Sequence, residues 1–195
     1  MSDELTSRIG NTLKTLRHEK GWSLTRASEE TRVSKAMLGQ IERGESSPTV
    51  ATLWKIATGM NVAFSTFIEP TLAQENVTYR SGAGVAFREN KAGMHVVPLF
   101  PFDEKLRFDM LVIELAAGAS SASSAHENGV IEHIIVLEGQ LDITVDGQTH
   151  RLSVGDALRF AADREHRYHN PAATTARFHD LIHYPDKNNA LQAEM

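Results

Sequence analysis

The stretch from Trp22 to Glu45 reads WSLTRASEETRVSKAMLGQIERGE and contains two short helical patterns. Ser23 precedes the first pattern, near Leu24–Thr31, and Ser34 precedes the second, Lys35–Arg43. A serine immediately before a helix accepts a hydrogen bond from a backbone amide of the first turn and thereby fixes the start of the helix. The stretch therefore predicts two capped helices joined by a turn of a few residues.

Apolar residues at helical spacing flank this pair of helices on both sides. They predict a first helix that ends at Gly21 and a fourth helix introduced by Pro48 and Thr49. The predicted buried positions are Ile9, Leu13 and Leu16 in the first helix, Leu38 and Ile41 in the third, Val50, Leu53, Ile56 and Ala57 in the fourth, and Val62, Phe64, Phe67 and Ile68 after it. Such spacing is typical of a small helical bundle.

The segment from Val33 to Pro48 resembles the lambda-repressor-like helix-turn-helix family, often called XRE, and the resemblance extends over about one third of the chain. It implies a five-helix bundle whose third helix enters the major groove of DNA. By position it assigns base reading to Lys35, Ala36 and Gln40, phosphate contacts to Arg26 and Arg43, and a place near the DNA backbone to the cap Ser34. Where the family usually has Gly in the turn, this chain has Arg32, which predicts a side chain at positive φ.

The two parts of the chain differ in charge. Residues 1–68 hold nine Lys and Arg against seven Asp and Glu, a net charge of +2, whereas the whole chain has a net charge of −5. A locally basic half is compatible with DNA binding beside an acidic half. From charge alone, the solvated face of an ordinary helical bundle is the favoured interpretation of the basic residues, so the prediction of DNA binding depends on the helix-turn-helix pattern.

Beyond a polar stretch at 70–83, the pattern changes from helix to short strands. Turn signals such as Asp146-Gly147 separate runs rich in β-branched and aromatic residues. The predicted strands are Val96–Phe100, Phe108–Leu115, Ile131–Leu137, Leu141–Val145, Ala157–Phe160 and Ala176–His183. Many short strands with little helix predict a sandwich or barrel.

Eight of the nine histidines lie in this second half. His126 and Glu132 are separated by an even number of positions, which predicts a shared face if the chain is extended. Together with Gly139, His166 and Asn170 they resemble the two cupin motifs. The resemblance implies an antiparallel jelly-roll barrel with His126, Glu132 and His166 as metal ligands. Imidazole and carboxylate suit Zn, Mn, Fe or Ni, and Zn is the first choice.

The second histidine of the usual His-x-His motif is Asn128 in this chain. A barrel that has no metal and keeps its polar groups for a small effector is therefore an alternative to a metal site. The candidate effector ligands are Asn128, Arg159, Tyr168 and His179. His179 and His183 share strand parity and can line one interior, or they are hydrogen-bonded core histidines.

These patterns predict an α+β chain of two domains, with a DNA-binding domain at 1–69, a linker at 70–83 and a cupin sensor and dimerisation domain at 84–195. The predicted function is a non-enzymatic transcriptional regulator that binds double-stranded operator DNA as a homodimer and senses a small molecule. The chain has no cysteine, no membrane-spanning run and no signal-peptide pattern, so we expect a cytoplasmic protein. The alternatives are a metal-dependent cupin enzyme of dioxygenase or isomerase type and a protein-partner module.

Overall fold

A computed structural model describes residues 3–68, 86–89 and 93–185. Its N-terminal part has four α-helices and a short 3-10 helix at the place of the expected fifth helix: α1 Asp3–Glu19, α2 Leu24–Thr31, α3 Lys35–Glu42, α4 Val50–Met60 and the 3-10 helix Phe64–Phe67. The predicted linker at 70–83 lies outside the described residues. The bundle thus has four α-helices rather than the five expected, and a single turn of 3-10 helix stands where the fifth was expected.

Local side-chain chemistry fixes the helix ends. The Ser23 hydroxyl accepts from the Arg26 amide, and the Thr49 hydroxyl starts α4 in the same way by accepting from the Thr52 amide. After α1 the chain turns at Gly21, whose φ of 66° is in the left-handed region that glycine adopts without strain. The positions of these helices follow the sequence prediction.

A buried ion pair and a glycine hold α3 against α1. The Arg17 guanidinium donates to both carboxylate oxygens of Glu42, at 2.6 and 2.8 Å, and also to the Trp22 carbonyl at 2.9 Å. A Cβ at Gly10 would lie 2.4 Å from the Ile41 carbonyl oxygen, so only glycine permits this approach. The predicted recognition helix is therefore fixed on a rigid support.

The C-terminal part consists of two antiparallel sheets. Its strands are β1 Phe87–Glu89, β2 Met94–Asp103, β3 Phe108–Leu115, β4 Ser120–Ser123, β5 Ile131–Glu138, β6 Gln140–Val145, β7 Gln148–Ser153, β8 Ala157–Ala161, β9 His166–His169 and β10 Ala176–His183. One sheet has the order β1-β2-β3-β10-β5-β8 and the other β4-β9-β6-β7. Every predicted strand is present, and β1, β4, β7 and β9 are additional.

Alternation of side chains gives the barrel its interior. Along β10, Phe178, Asp180 and Ile182 are buried while the residues between them face outward. The hairpin between β6 and β7 turns at Asp146 and Gly147, whose φ values of 49° and 77° match the predicted tight turn. The described helices include none that is long and apolar enough to cross a membrane.

The two parts pack directly against each other. The Trp54 ring stacks on Phe64 at 4.3 Å between centroids, and Phe64 meets Phe87 of β1 edge-on at 6.4 Å. The Ser65 amide donates to the buried Asp109 carboxylate of β3 at 3.2 Å. The 3-10 helix therefore forms part of the barrel's own packing, and α4 lies close to the mouth of the barrel.

Candidate nucleic-acid interface and metal centre

The N-terminal end of α3 is exposed, as a reading helix requires. The Ser34 hydroxyl caps it by accepting from the Met37 amide at 3.2 Å. Lys35, Ala36 and Gln40 are all exposed, on the side opposite the buried Leu38 and Ile41. Ammonium, methyl and amide groups on one accessible face are suited to the donors, acceptors and thymine methyls of the major groove.

The two candidate phosphate-binding arginines are both paired with acids in the free protein. Arg26 pairs with Glu29 at 3.7 Å and, more closely, with Glu30. Arg43 donates to both oxygens of Glu45 at 2.8 and 2.7 Å, and this hydrogen bonding lowers the pKa of the Glu45 carboxyl. These carboxylates therefore compete with a phosphate for the two guanidinium groups.

The turn that joins α2 to α3 has the geometry expected from its unusual residue. Arg32 ends α2 in the left-handed conformation, with φ 55° and ψ 26°, and its side chain is exposed. The next residue, Val33, is buried. A non-glycine residue with this φ is strained, so the fold accepts a local cost to place α3.

In the barrel, the three predicted metal ligands come together. His126 Nε2 lies 2.8 Å from Glu132 Oε1, and His166 Nε2 lies 3.5 Å from the same oxygen. One donor atom from each residue lies within 4.8 Å of the others, and all three residues are buried. Among the described residues this is the group of His, Asp and Glu side chains that can hold a metal ion.

Both sheets and one loop contribute to this cluster. Glu132 faces inward from β5, and His166 begins β9 in the other sheet. His126 lies in the loop after β4, where its amide donates to the Ala162 carbonyl at 2.9 Å. The expectation that His126 and Glu132 face one way along a single extended strand is wrong, because a loop separates them.

The protonation of His166 leaves one ring nitrogen ready for a metal. Its Nδ1 lies 2.9 Å from the Arg164 carbonyl oxygen, which can only accept, so Nδ1 carries the proton. Its Nε2 is buried and has no hydrogen-bond partner in the described structure. Burial is the main cause that lowers the pKa of His166, which favours the neutral, metal-binding ring.

Glu132 is held as the negatively charged ligand. Burial alone would raise the pKa of its carboxyl, but the hydrogen bond from His126, the electrostatic interactions with His166 and His126 and the hydrogen bond from Tyr168 outweigh it and lower the pKa. A carboxylate, a neutral imidazole with an unpaired Nε2 and a second imidazole form a donor set that suits a divalent metal such as Zn²⁺. The residues present fit such an ion.

The four predicted effector ligands do not gather at one place. Tyr168 is buried at the cluster and donates its hydroxyl hydrogen to Glu132 Oε2. Asn128 is exposed in the loop, and Arg159 is exposed on β8, where the neighbouring Leu158 and Phe160 face inward. His179 lies on the outer side of β10, because the inward positions belong to its neighbours. The expectation that His179 and His183 line the interior is wrong.

Sequence reasoning missed the side chains of α4 that contact His126. Thr58 Oγ1 lies 3.4 Å from His126 Nδ1, and the Trp54 ring lies 4.7 Å from the His126 ring between centroids. These contacts join residues about seventy positions apart, so no local pattern can indicate them. A ligand of the candidate metal centre thus touches the DNA-binding domain.

A cavity of about 510 Å³ adjoins this contact. Its walls come from both domains: α4 and the segment before the 3-10 helix on one side, the β2–β3 turn and the loop of His126 on the other. Arg107 projects from the β2–β3 turn, and Tyr184 follows β10. Cavities of this size accommodate small metabolites.

Comparison with known proteins agrees with both halves of this structure. Residues 13–67 match the helix-turn-helix family HTH_3, and residues 111–182 match the cupin domain family Cupin_2. The chain is 51% identical to the HTH-type transcriptional regulator SutR of Escherichia coli K12, over 94% of this chain and 98% of that one. It is 24% identical to the regulator PuuR of the same organism, over 91% and 95%.

A solved structure is similar to this chain over both domains. An HTH_3-family transcriptional regulator from Vibrio cholerae superposes with a TM-score of 0.80 at 39% identity, covering 95% of this chain and all of that one. The resemblance therefore includes both domains and their order. The chain belongs to the XRE-type helix-turn-helix transcriptional regulators that carry a C-terminal cupin domain, and it is a DNA-binding regulator.

Proposed function

We propose that this regulator works in the cytoplasm as a homodimer whose barrel binds one divalent metal per chain through His126, Glu132 and His166. In this proposal, Zn²⁺ is the first candidate. Binding of the metal in the barrel and of a small effector changes the affinity of the dimer for its operator. The proposed role is control of transcription and requires no turnover of the bound molecule.

The observation that carries the proposal is the contact between His126 and α4. His126 Nε2 lies 2.8 Å from a carboxylate oxygen of Glu132, and that oxygen can only accept, so in this hydrogen bond Nε2 holds the ring proton. A metal ligand must present a lone pair at that nitrogen, which places the proton on Nδ1. There it faces Thr58 Oγ1. A metal held at Nε2 would thus change which partner donates in the hydrogen bond between His126 and Thr58 of the DNA-binding domain.

The chemistry that a bound metal supplies is a positive charge and a coordination position open to a ligand. Arg164 and Thr58 contact the two histidine ligands and would not bind the metal themselves. The Arg164 carbonyl holds the His166 proton on Nδ1, and with a metal at Nε2 of His126, Thr58 would accept the His126 proton from Nδ1. Such outer partners fix ring orientation and tautomer, so they contribute to metal affinity.

For DNA, we propose that Lys35, Ala36 and Gln40 read bases in the major groove. Gln40 can bond adenine through two hydrogen bonds, Lys35 can donate to guanine, and the Ala36 methyl can contact thymine. Arg26, Arg43 and the cap Ser34 contact the phosphate backbone. Their exposure on and around one end of α3 supports this division.

The small size of the DNA contact made by one chain supports the proposed homodimer. One such helix contacts only a few base pairs, and tight binding by helix-turn-helix proteins uses two half-sites about 34 Å apart. The spacing between the two α3 helices is then a geometric constraint. A shift of α4 against the barrel alters that spacing and hence operator affinity.

The test compares operator binding by metal-loaded and chelator-treated protein. The operator is first obtained by selection from a random duplex pool, and affinity is measured at fixed ionic strength. We expect about one Zn²⁺ per chain and a change in operator affinity of about fivefold or more. His166→Ala should lose both effects, whereas the exposed His183→Ala should keep them. Equal operator affinity with and without metal would contradict the proposal.

A further inference from the structure

The cavity between the two domains has the composition of a binding site for a small molecule. It has about 510 Å³ of space and mixes aromatic walls with charged and hydroxyl groups. The aromatic side chains come from Trp54 of α4, Phe102 of β2 and Tyr184. A pocket with apolar walls and a few polar groups is the usual form of a metabolite site.

Arg107 is a positively charged residue of the cavity wall that has no acidic partner among the described residues. Its guanidinium donates through Nη2 to the Pro185 carbonyl at 2.9 Å and lies over the Phe102 ring at 5.3 Å. Its Nε is buried and has no hydrogen-bond partner, and no acidic side chain of the described residues forms an ion pair with it. A half-buried cation without an acid is stabilised by an anion.

Arg107 has a left-handed backbone conformation that hydrogen bonds with neighbouring residues hold in place. Its φ is 57°, in the left-handed region that disfavours side chains. Its amide donates to the Asp103 carbonyl at 2.8 Å, and its own carbonyl accepts from the Tyr184 amide at 2.8 Å. Strained residues fixed in this way cluster at ligand sites.

From these observations we infer that the cavity is the effector site and that it takes a small molecule with a carboxylate on an apolar body. The carboxylate pairs with Arg107, since guanidinium and carboxylate match in shape and charge. The apolar body lies against Trp54. The inference rests on the proposed regulatory function, because it names the effector site of that regulator.

The competing ligand class is an amine, since Glu104 and Glu127 also line the cavity. Glu104 is exposed, so water already solvates its charge. Glu127 already has an interaction within the chain. Arg107, by contrast, is partly buried and has no acidic partner among the described residues. A ligand with a carboxylate is therefore favoured over an amine.

An occupant of this cavity would touch both domains at once. Thr58 of α4 and His126 of the barrel both line the cavity, and their nearest polar atoms lie 3.4 Å apart, so the two domains meet there. A molecule that fits one relative position of the two domains better than another biases the position of the DNA-binding domain. A ligand in this cavity can therefore couple its own binding to the position of the DNA-binding domain.

The experiment uses Trp54 fluorescence in the full-length protein. The chain has two tryptophans, so Trp22→Phe leaves Trp54 as the only indole reporter. The probes are benzoate, its neutral analogue benzamide and the amine benzylamine. Arg107→Gln removes the charge, Arg107→Lys keeps it, and Arg159→Gln removes an exposed arginine from the outer side of the barrel. Circular dichroism and thermal unfolding establish that each variant folds.

We expect benzoate to bind saturably and about 10- to 100-fold more tightly than benzamide or benzylamine. Arg107→Gln should abolish that preference, Arg107→Lys should retain part of it, and Arg159→Gln should leave it unchanged. The inference is overturned if benzoate shows no saturable binding up to about 10 mM, if benzylamine binds more tightly, or if folded Arg107→Gln prefers benzoate as strongly as the parent.

Operator binding by the same protein without any probe is measured in parallel. If the protein binds operator but not benzoate, the effector site is wrong and DNA binding stands. If it binds benzoate but the metal-loaded protein and the chelated protein bind operator equally, the cavity stands as a site and the proposed metal control fails.

Discussion

The hydroxyl of Thr58 lies 3.4 Å from Nδ1 of His126, and these two residues belong to different domains. Thr58 is on α4 of the helix-turn-helix bundle, and His126 is a candidate ligand at the mouth of the barrel. The Trp54 ring packs against the same imidazole. The candidate metal centre and the DNA-binding domain are thus neighbours, joined by the hydrogen bond between Thr58 and His126.

Thr58→Val should weaken Zn²⁺ binding by about tenfold, although the residue belongs to the DNA-binding domain, because it removes the acceptor for the His126 Nδ1 proton. Competition with a chromophoric chelator measures the affinity. Thr58→Ser keeps the hydroxyl and serves as the matched control. Wild-type affinity in a folded Thr58→Val protein would mean that Thr58 does not position His126.

Gln40→Ala should relax the preference for one base of each half-site, since the amide can no longer bond adenine. The expected loss of discrimination is about 1–3 kcal/mol at that base. Binding-site selection before and after the substitution measures it. An unchanged preference would show that another residue reads the base.

Arg43→Ala should weaken binding to all sequences alike and lower the slope of log K against log salt by about 1, because one phosphate contact is lost. Glu45→Gln should have the opposite effect, since it removes the carboxylate that pairs with Arg43 in the free protein. Titrations at several salt concentrations test both. A sequence-dependent effect of Arg43→Ala would argue for base reading instead.

Stability should depend on pH through Asp109, whose pKa is raised to about 6. Burial is the main cause, opposed by hydrogen bonds from Ser65 and Tyr184 and aided by the charge of Glu132. Asp180 also lies close enough to interact with Asp109, and burial raises its own pKa. Because the folded pKa exceeds the ordinary 3.8, the stabilising contribution is complete below 3.8 and is lost as pH rises through about 6.

Asp109→Asn cannot titrate and should remove this dependence. Between about pH 4 and about pH 7, the free energy of unfolding of the wild type should fall by about 2 kcal/mol relative to the variant. Urea unfolding in the presence of a chelator gives both curves. Parallel curves over this range would exclude Asp109 as the titrating group.

Arg32→Gly should stabilise the protein by about 0.5–1 kcal/mol, because glycine adopts the positive φ of the α2–α3 turn without the strain of a Cβ. Arg32→Ala is the control, since it removes the guanidinium and keeps the Cβ. Chemical unfolding measures both variants. Loss of stability in Arg32→Gly would assign a stabilising role to the arginine side chain.

Features set by neighbouring residues could be predicted from the sequence. The Ser34 cap, the Arg32 conformation and the Asp146-Gly147 turn depend on local chemistry, and each occurs where the pattern indicates. The short polar strands β4 and β9 were missed, because sequences such as SSAS have little apolar alternation and depend on pairing with each other.

The candidate site was predicted in part. The motif spacing indicated the three metal ligands, but strand parity alone did not tell which side of β10 faces inward, so His179 was misplaced. The buried neighbours Phe178 and Asp180 decide that question. The contacts of Thr58 and Arg107 depend on how the two domains pack, which no local pattern records.

Coupling between metal and operator is the central claim, and the affinity for Zn²⁺ measured with and without operator duplex tests it most directly. Linkage requires that the operator change Zn²⁺ affinity by the same factor by which Zn²⁺ changes operator affinity. We predict a factor of about five or more, reduced in Thr58→Val. Identical Zn²⁺ affinity in the free and operator-bound protein would contradict the coupling through His126 and α4.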